Sequence, residues 1–120
     1  MEYTNRSFEN LYIWQEARIL VKQIYTVMEG CRDWGFKDQI QRAAVSIMNN
    51  IAEGADSGSD SKFTNFLNIA RGSCAEVRSM LFLCEDLNIC SKEQAYDLRQ
   101  KTNQISAGIN KLIKSITKPE

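Results

Sequence analysis

A chain of 120 residues, 43% of them hydrophobic, is long enough to bury one core and short of a second. Fifteen Lys and Arg balance fifteen Asp and Glu, which leaves no strong overall field to draw the molecule onto phosphate backbones or anionic lipid. The chain has no histidine, so the commonest acid–base catalyst and a common zinc ligand are both missing.

The N-terminal run MEYTNRSFENLYIWQEAR mixes acidic and basic residues without an uninterrupted apolar stretch. That pattern argues against a signal peptide or a membrane span and points to a cytoplasmic protein. The single proline, Pro119, lies at the C-terminal end, so nothing before it forbids long helices. Three breaks rich in Gly, Asp, Ser and Asn divide the chain: GCRDWG at 30–35, GADSGSDS at 54–61 and NICS at 88–91.

Four segments with helical periodicity remain. The first, over 10–29, steps through Trp14, Ala17, Val21, Ile24 and Met28 as a seam, with Ile13, Leu20 and Val27 as a second apolar row that widens the stripe beyond one partner's needs. The second, over 36–55, sets Phe36, Ile40, Ala43, Ala44, Ile47 and Ile51 on one side. Beside them Gln39, Arg42, Ser46, Asn49 and Glu53 repeat at steps of three and four, a row of hydrogen-bonding groups.

The third segment, over 61–87, carries Phe63, Phe66, Leu67, Ala70, Cys74, Val77, Leu81 and Cys84. Small residues at Ala70, Gly72, Ser73 and Ala75 predict a close helix approach near its middle. The fourth, over 92–117, holds Ala95, Leu98, Thr102, Ile105, Ile109, Leu112 and Ile116 in heptad spacing, and Ser91 with Gln94 matches a capping box at its start. Four long amphipathic helices with short connections predict one all-α domain over 1–120, an antiparallel up-down-up-down four-helix bundle.

Candidates for chemistry are few. Cys31, Cys74, Cys84 and Cys90 form no C-x-x-C pair, and Cys74 and Cys84 fall on an apolar stripe where reduced cysteine acts as a small hydrophobe. Neither a metal nor a cofactor is expected. Glu53 and Glu76 lie closest to apolar stripes, and the reading favoured over catalysis pairs them with Arg42, Arg71 or helix-end amides. Lys111, Lys114 and Lys118 share one face of the last helix, where they either contact phosphates or complement the helix dipole. The aromatic residues are not interleaved with basic ones as a base-stacking platform requires, and Trp34, between Arg32 and Lys37, is the one expected to be exposed at a bundle end.

In that order along the chain, FENLYIWQEA, DQIQRAAVSIMNNIAEG and FLNIARGSCAEV resemble the bacterial four-helix bundle family, also called the 23S rRNA-intervening sequence protein family, to which the accessory protein of diversity-generating retroelements is related. The matching motif residues are Gln39, Arg42, Ser46, Asn50, Glu53 and Gly54 on the second segment and Gly72, Ser73 and Glu76 on the third. Two positions depart from the family pattern. Met48 stands where the run S-I-P-x-N-I-A-E-G has proline, and the loop after Gly54 is acidic where the family often has arginine.

The resemblance implies a protomer that assembles as a homo-oligomer, a pentamer, without enzymatic activity. Its implied role is a binding or scaffolding module with RNA or another nucleic acid as partner. Protein–protein adaptation without nucleic acid is the alternative, and a small-molecule binder or enzyme built on Glu53, Asn50 and Arg42 the remote one. The nine motif residues are expected to form a structural network or interface, with Gly54 ending the second helix through a positive φ.

Overall fold

The computed structural model describes residues 7–117. A 3-10 turn at Phe8–Asn10 leads into four helices, α1 Tyr12–Val27, α2 Trp34–Ala55, α3 Asp60–Asp86 and α4 Lys92–Thr117, and the described residues contain no strand.

Each start after the first has a side-chain cap. The Ser59 hydroxyl accepts from Lys62 N–H at 3.2 Å. Ser91 and Gln94 satisfy each other's amides at 3.0 and 2.9 Å, the expected capping box. Asp33 accepts from Phe36 N–H at 3.1 Å, so α2 begins at Trp34, inside the stretch read as a break. At the other end of α3, Asn88 takes φ 58° while Ile89 N–H returns to the Cys84 carbonyl at 2.8 Å and Asn88 N–H to that of Glu85 at 3.1 Å. This is a Schellman stop, with asparagine in the left-handed position that glycine usually fills.

The contacts fix the directions of the helices. Between α2 and α3, Gln39 meets Glu76, Ser46 meets Ser73, and Gly54 meets Phe63, so rising numbers on one helix face falling numbers on the other. Arg71–Asn110, Arg78–Asn103 and Glu85–Arg99 show the same for α3 and α4, as do Ile13–Gly108 and Glu16–Lys101 for α1 and α4. It follows that α1 and α2 are antiparallel too. Each helix packs on two neighbours in cyclic order, giving a bundle of 49 × 20 × 19 Å.

The buried rows of α2, α3 and α4 follow those expected from the sequence, with Ile40, Ile47, Ile51, Phe63, Leu67, Leu81, Ile105 and Ile109 fully enclosed, whereas Phe36, Phe66, Leu112 and Ile116 of the same rows are half-buried. Thr102 is buried among them, its hydroxyl donating to the Arg99 carbonyl at 2.6 Å. In α1 the order of the two rows differs. Ile13, Ala17, Leu20, Ile24 and Met28 point inward, whereas Trp14 and Val21 are half-buried. Trp14 rests edge-on against Phe8 with ring centroids 5.1 Å apart, and the Arg18 guanidinium lies 5.7 Å from its ring centre. A stripe two rows wide does not say which row faces the axis. Packing decides it here: a Cβ on Gly108 of α4 would lie 2.5 Å from a methyl of Ile13, so α4 makes room for Ile13 by lacking a side chain.

Candidate functional site

The residues singled out on α2 and α3 converge on the most closely packed helix pair of the bundle. The Ser46 and Ser73 hydroxyls are 2.9 Å apart across it. Asn50 lies one turn beyond Ser46, and its amide donates to the Ser46 hydroxyl at 3.0 Å and carbonyl at 2.8 Å. Gln39, near the other end, donates to the Glu76 carboxylate at 3.3 Å. Gly35, Asp38, Arg42 and Ala43 complete a shallow polar groove with Gln39, Ser46, Ser73 and Glu76. The short side chains let the helices approach, and their hydroxyls and amides pair as they do.

Gly54 belongs to this seam for a reason other than the expected one. It lies inside α2, buried, and its φ is not positive; among the described residues the glycine with φ in the left-handed region is Gly58, at 87°. A Cβ on Gly54 would come within 2.8 Å of both Phe63 Cδ1 and Phe66 Cβ. The position requires the absence of a side chain because α3 passes directly over it. Gly72 is the converse case: it is exposed, and a Cβ there would meet nothing within 4 Å, so its smallness serves no contact inside the protomer.

The expected pairing of Glu53 and Glu76 with arginines is not formed. Arg42 donates to Asp38 one turn back on its own helix at 2.7 Å, and both side chains are largely exposed. Arg71 reaches Asn110 at 2.6 Å and Asn68 at 2.7 Å. Five residues separate Arg71 from Glu76, about 140° around the helix, so one faces α4 and the other α2. Glu53 is exposed and makes no hydrogen bond or ion pair among the described residues. Eleven residues from Arg42, or about 16 Å along the axis, it does not share a groove with it. The geometry therefore does not assemble Glu53, Asn50 and Arg42 into one pocket.

Lys111 and Lys114 are exposed on α4 and unpaired among the described residues, while Lys118 lies outside them. Upstream, Lys101 is held by Glu16 at 2.8 Å, and Arg99 by Glu85 at 3.2 Å with its guanidinium 4.0 Å from the Phe82 ring centre. Trp34 is 67% exposed, with the Lys37 ammonium 5.2 Å from its ring centre.

Sequence reading missed one grouping. Cys84 at the end of α3 faces Cys90 from the next connection and Cys31 from the connection after α1. No spacing rule signals it, since the three come from separate chain segments. Burial first, then the neighbouring Cys90 and Cys31 thiols, push Cys84 up to about 12, and burial pushes Cys74 up to about 11. Such thiols stay protonated near neutral pH and are poor nucleophiles. Among the described residues no group of three or more His, Cys, Asp or Glu side chains is arranged to hold a metal ion. No helix is long and apolar enough to cross a membrane.

Fold and seam together define an all-α bundle whose tightest helix pair is joined by small and amide side chains. The chain belongs to the 23S rRNA-intervening sequence protein family, whose sequence model matches residues 9–111. No curated protein matches it. Among solved structures it is similar to a protein of unknown function from the S23 ribosomal protein family of Bacteroides thetaiotaomicron VPI-5482. That likeness has a TM-score of 0.79 at 24% identity, covers 85% of this chain and 98% of the other, and is one of fold.

Proposed function

We propose that this chain is a non-catalytic cytoplasmic module that assembles with copies of itself, as the ring of five its family resemblance implies, and serves as a binding or scaffolding platform. One observation carries the self-assembly. Along the outer side of α3 and just past its end, Ile69, Leu83 and Leu87 are each 43–52% exposed, more large apolar side chain than one helix of a monomer needs to show water. Motif residues Gly72 and Glu76 lie exposed on the same helix, where an interface would use them. Light scattering on the purified chain tests it: five times 13.7 kDa, about 69 kDa, is expected. A species of 13.7 kDa at tens of micromolar overturns it.

A nucleic-acid partner is favoured by a second observation, the exposed and unpaired Lys111 and Lys114 on α4, together with the RNA in the family's name. Gel shifts with a 23S rRNA fragment at about 50 and 200 mM salt test this, because phosphate contacts weaken steeply with salt. Loss of the shift in Lys111→Glu/Lys114→Glu supports it. Absence of any shift at the lower salt leaves the protein-adaptor reading in its place.

A further inference from the structure

The neutral chain is electrically divided between opposite sides of the bundle. α4 sets five Lys and Arg against two Asp and Glu, and α1 two against one, whereas α2 has two of each and α3 three against four. The α1/α4 pair is thus +4 and the α2/α3 pair −1. Arg71 and Arg78 of α3 turn toward α4, where they donate to Asn110 and Asn103, so the outward α2/α3 face keeps Asp38, Glu53 and Glu76 against Arg42 and Lys62. Arg99 of α4 turns to Glu85 of α3 and Lys101 is neutralised by Glu16, so the outward α1/α4 face keeps Arg18, Lys22, Lys111 and Lys114 against Glu93 and Asp97. Since the helices pack in cyclic order, α1/α4 lies on the far side of the bundle from α2/α3.

The two sides also differ in relief. On α3, Ile69, Gly72, Glu76 and Leu83 fall on one outward row that is low at Gly72, beside the shallow groove of Ser46 and Ser73. On the other side, Ile19, Val27 and Leu98 wall an apolar groove between α1 and α4, with Lys22 and Asp97 both lining it. Ile19 is 42% exposed there.

We infer that the occupant of the α2/α3 face is the α1/α4 face of a second copy of this chain. The inference rests on the self-assembly reading and adds to it the pair of surfaces that meet. A basic, apolar side fits an acidic side of small residues, whereas either side set against itself places like charges together. Two different patches meeting head to tail make a heterologous contact, which closes into a ring or runs on as a filament according to its rotation.

Two blocked variants test the assignment. Gly72→Trp fills the α2/α3 face at a position with open space around it, and Ile19→Glu places a second carboxylate beside Asp97 in the apolar α1/α4 groove. Each alone is expected to run as a protomer at concentrations where the unaltered chain is assembled, with unchanged helical circular dichroism. Mixed in equal amounts, they keep one intact pair of faces between them, so a heterodimer of twice 13.7 kDa, about 27 kDa, forms and grows no further. If the unaltered chain assembles but either variant keeps its mass, or the mixture stays monomeric, the face assignment is overturned and self-assembly stands. An unaltered chain that is monomeric overturns both.

Discussion

The α2/α3 and α1/α4 helix pairs are built on opposite plans within one bundle. α2 and α3 close tightly, with Ser46 on Ser73 and Gly54 beneath Phe63 and Phe66, and bonds cross between them along their length. α1 and α4 pack less closely, with one ion pair between Glu16 and Lys101, one glycine at Gly108, and an open groove walled by Ile19, Val27 and Leu98. Side-chain size at the contact sets the helix spacing, and the spacing decides whether polar groups on the two helices can reach each other.

The largest expected effect separates α3 from α1 by pH. α3 buries two thiols, Cys74 and Cys84, whereas the core residues of α1 do not titrate. Both thiols hold their protons in the fold up to about 11 and 12, while in the unfolded chain they lose them near the ordinary 9.0. Above pH 9 the unfolded state therefore binds fewer protons, and stability falls as pH rises through 9 to 12. Urea titrations should show a loss of several kcal/mol over that window that is smaller in Cys84→Ala, and no thiol contribution to the slope below pH 8.

Next come the two crowded glycines. Gly54→Ala forces a methyl against Phe66 Cβ, which is tied to the α3 backbone, and should cost about 1–3 kcal/mol despite alanine's better helix propensity. Gly108→Ala sets a methyl 2.5 Å from Cγ2 of buried Ile13, which moves only through the stiff χ1 of a β-branched residue, and should cost about 1–3 kcal/mol as well. An unchanged or raised urea midpoint in either variant would show that the facing helix can move away, against the close contacts described for both pairs.

Smaller effects follow from the polar contacts. Ser73→Ala removes a hydroxyl whose partner Ser46 keeps its bond to Asn50, for about 0.5–1.5 kcal/mol. Arg42→Ala breaks a pair that is 80% and 62% exposed and should change the unfolding free energy, from urea titration, by no more than about 0.5 kcal/mol. A large loss there would mean that Arg42 is covered in solution, as it would be at an interface.

Much of this was legible in the sequence wherever periodicity alone decides the outcome. The inward rows of α2, α3 and α4 and the Ser91–Gln94 cap could be read from spacing. Positions that depend on a partner helix could not. Whether Ile13 or Trp14 faces the axis depends on Gly108, far along the chain, and Gly54 is set by Phe63 lying over it rather than by a helix stop. Pairing Glu76 with Arg71 follows from the need of a carboxylate near an apolar stripe for a partner, yet the 140° between them sends them to different neighbours. The convergence of Cys31, Cys84 and Cys90 depends on two connections meeting at one end of the bundle, which no local pattern encodes.

Self-assembly through these unlike faces is the claim on which the functional reading depends, and small-angle X-ray scattering across a dilution series tests it most directly. The radius of gyration of the unaltered chain should stay well above the protomer's 15.0 Å and drop to it in Gly72→Trp at the same concentration. A value near 15.0 Å for the unaltered chain at every concentration would contradict the account.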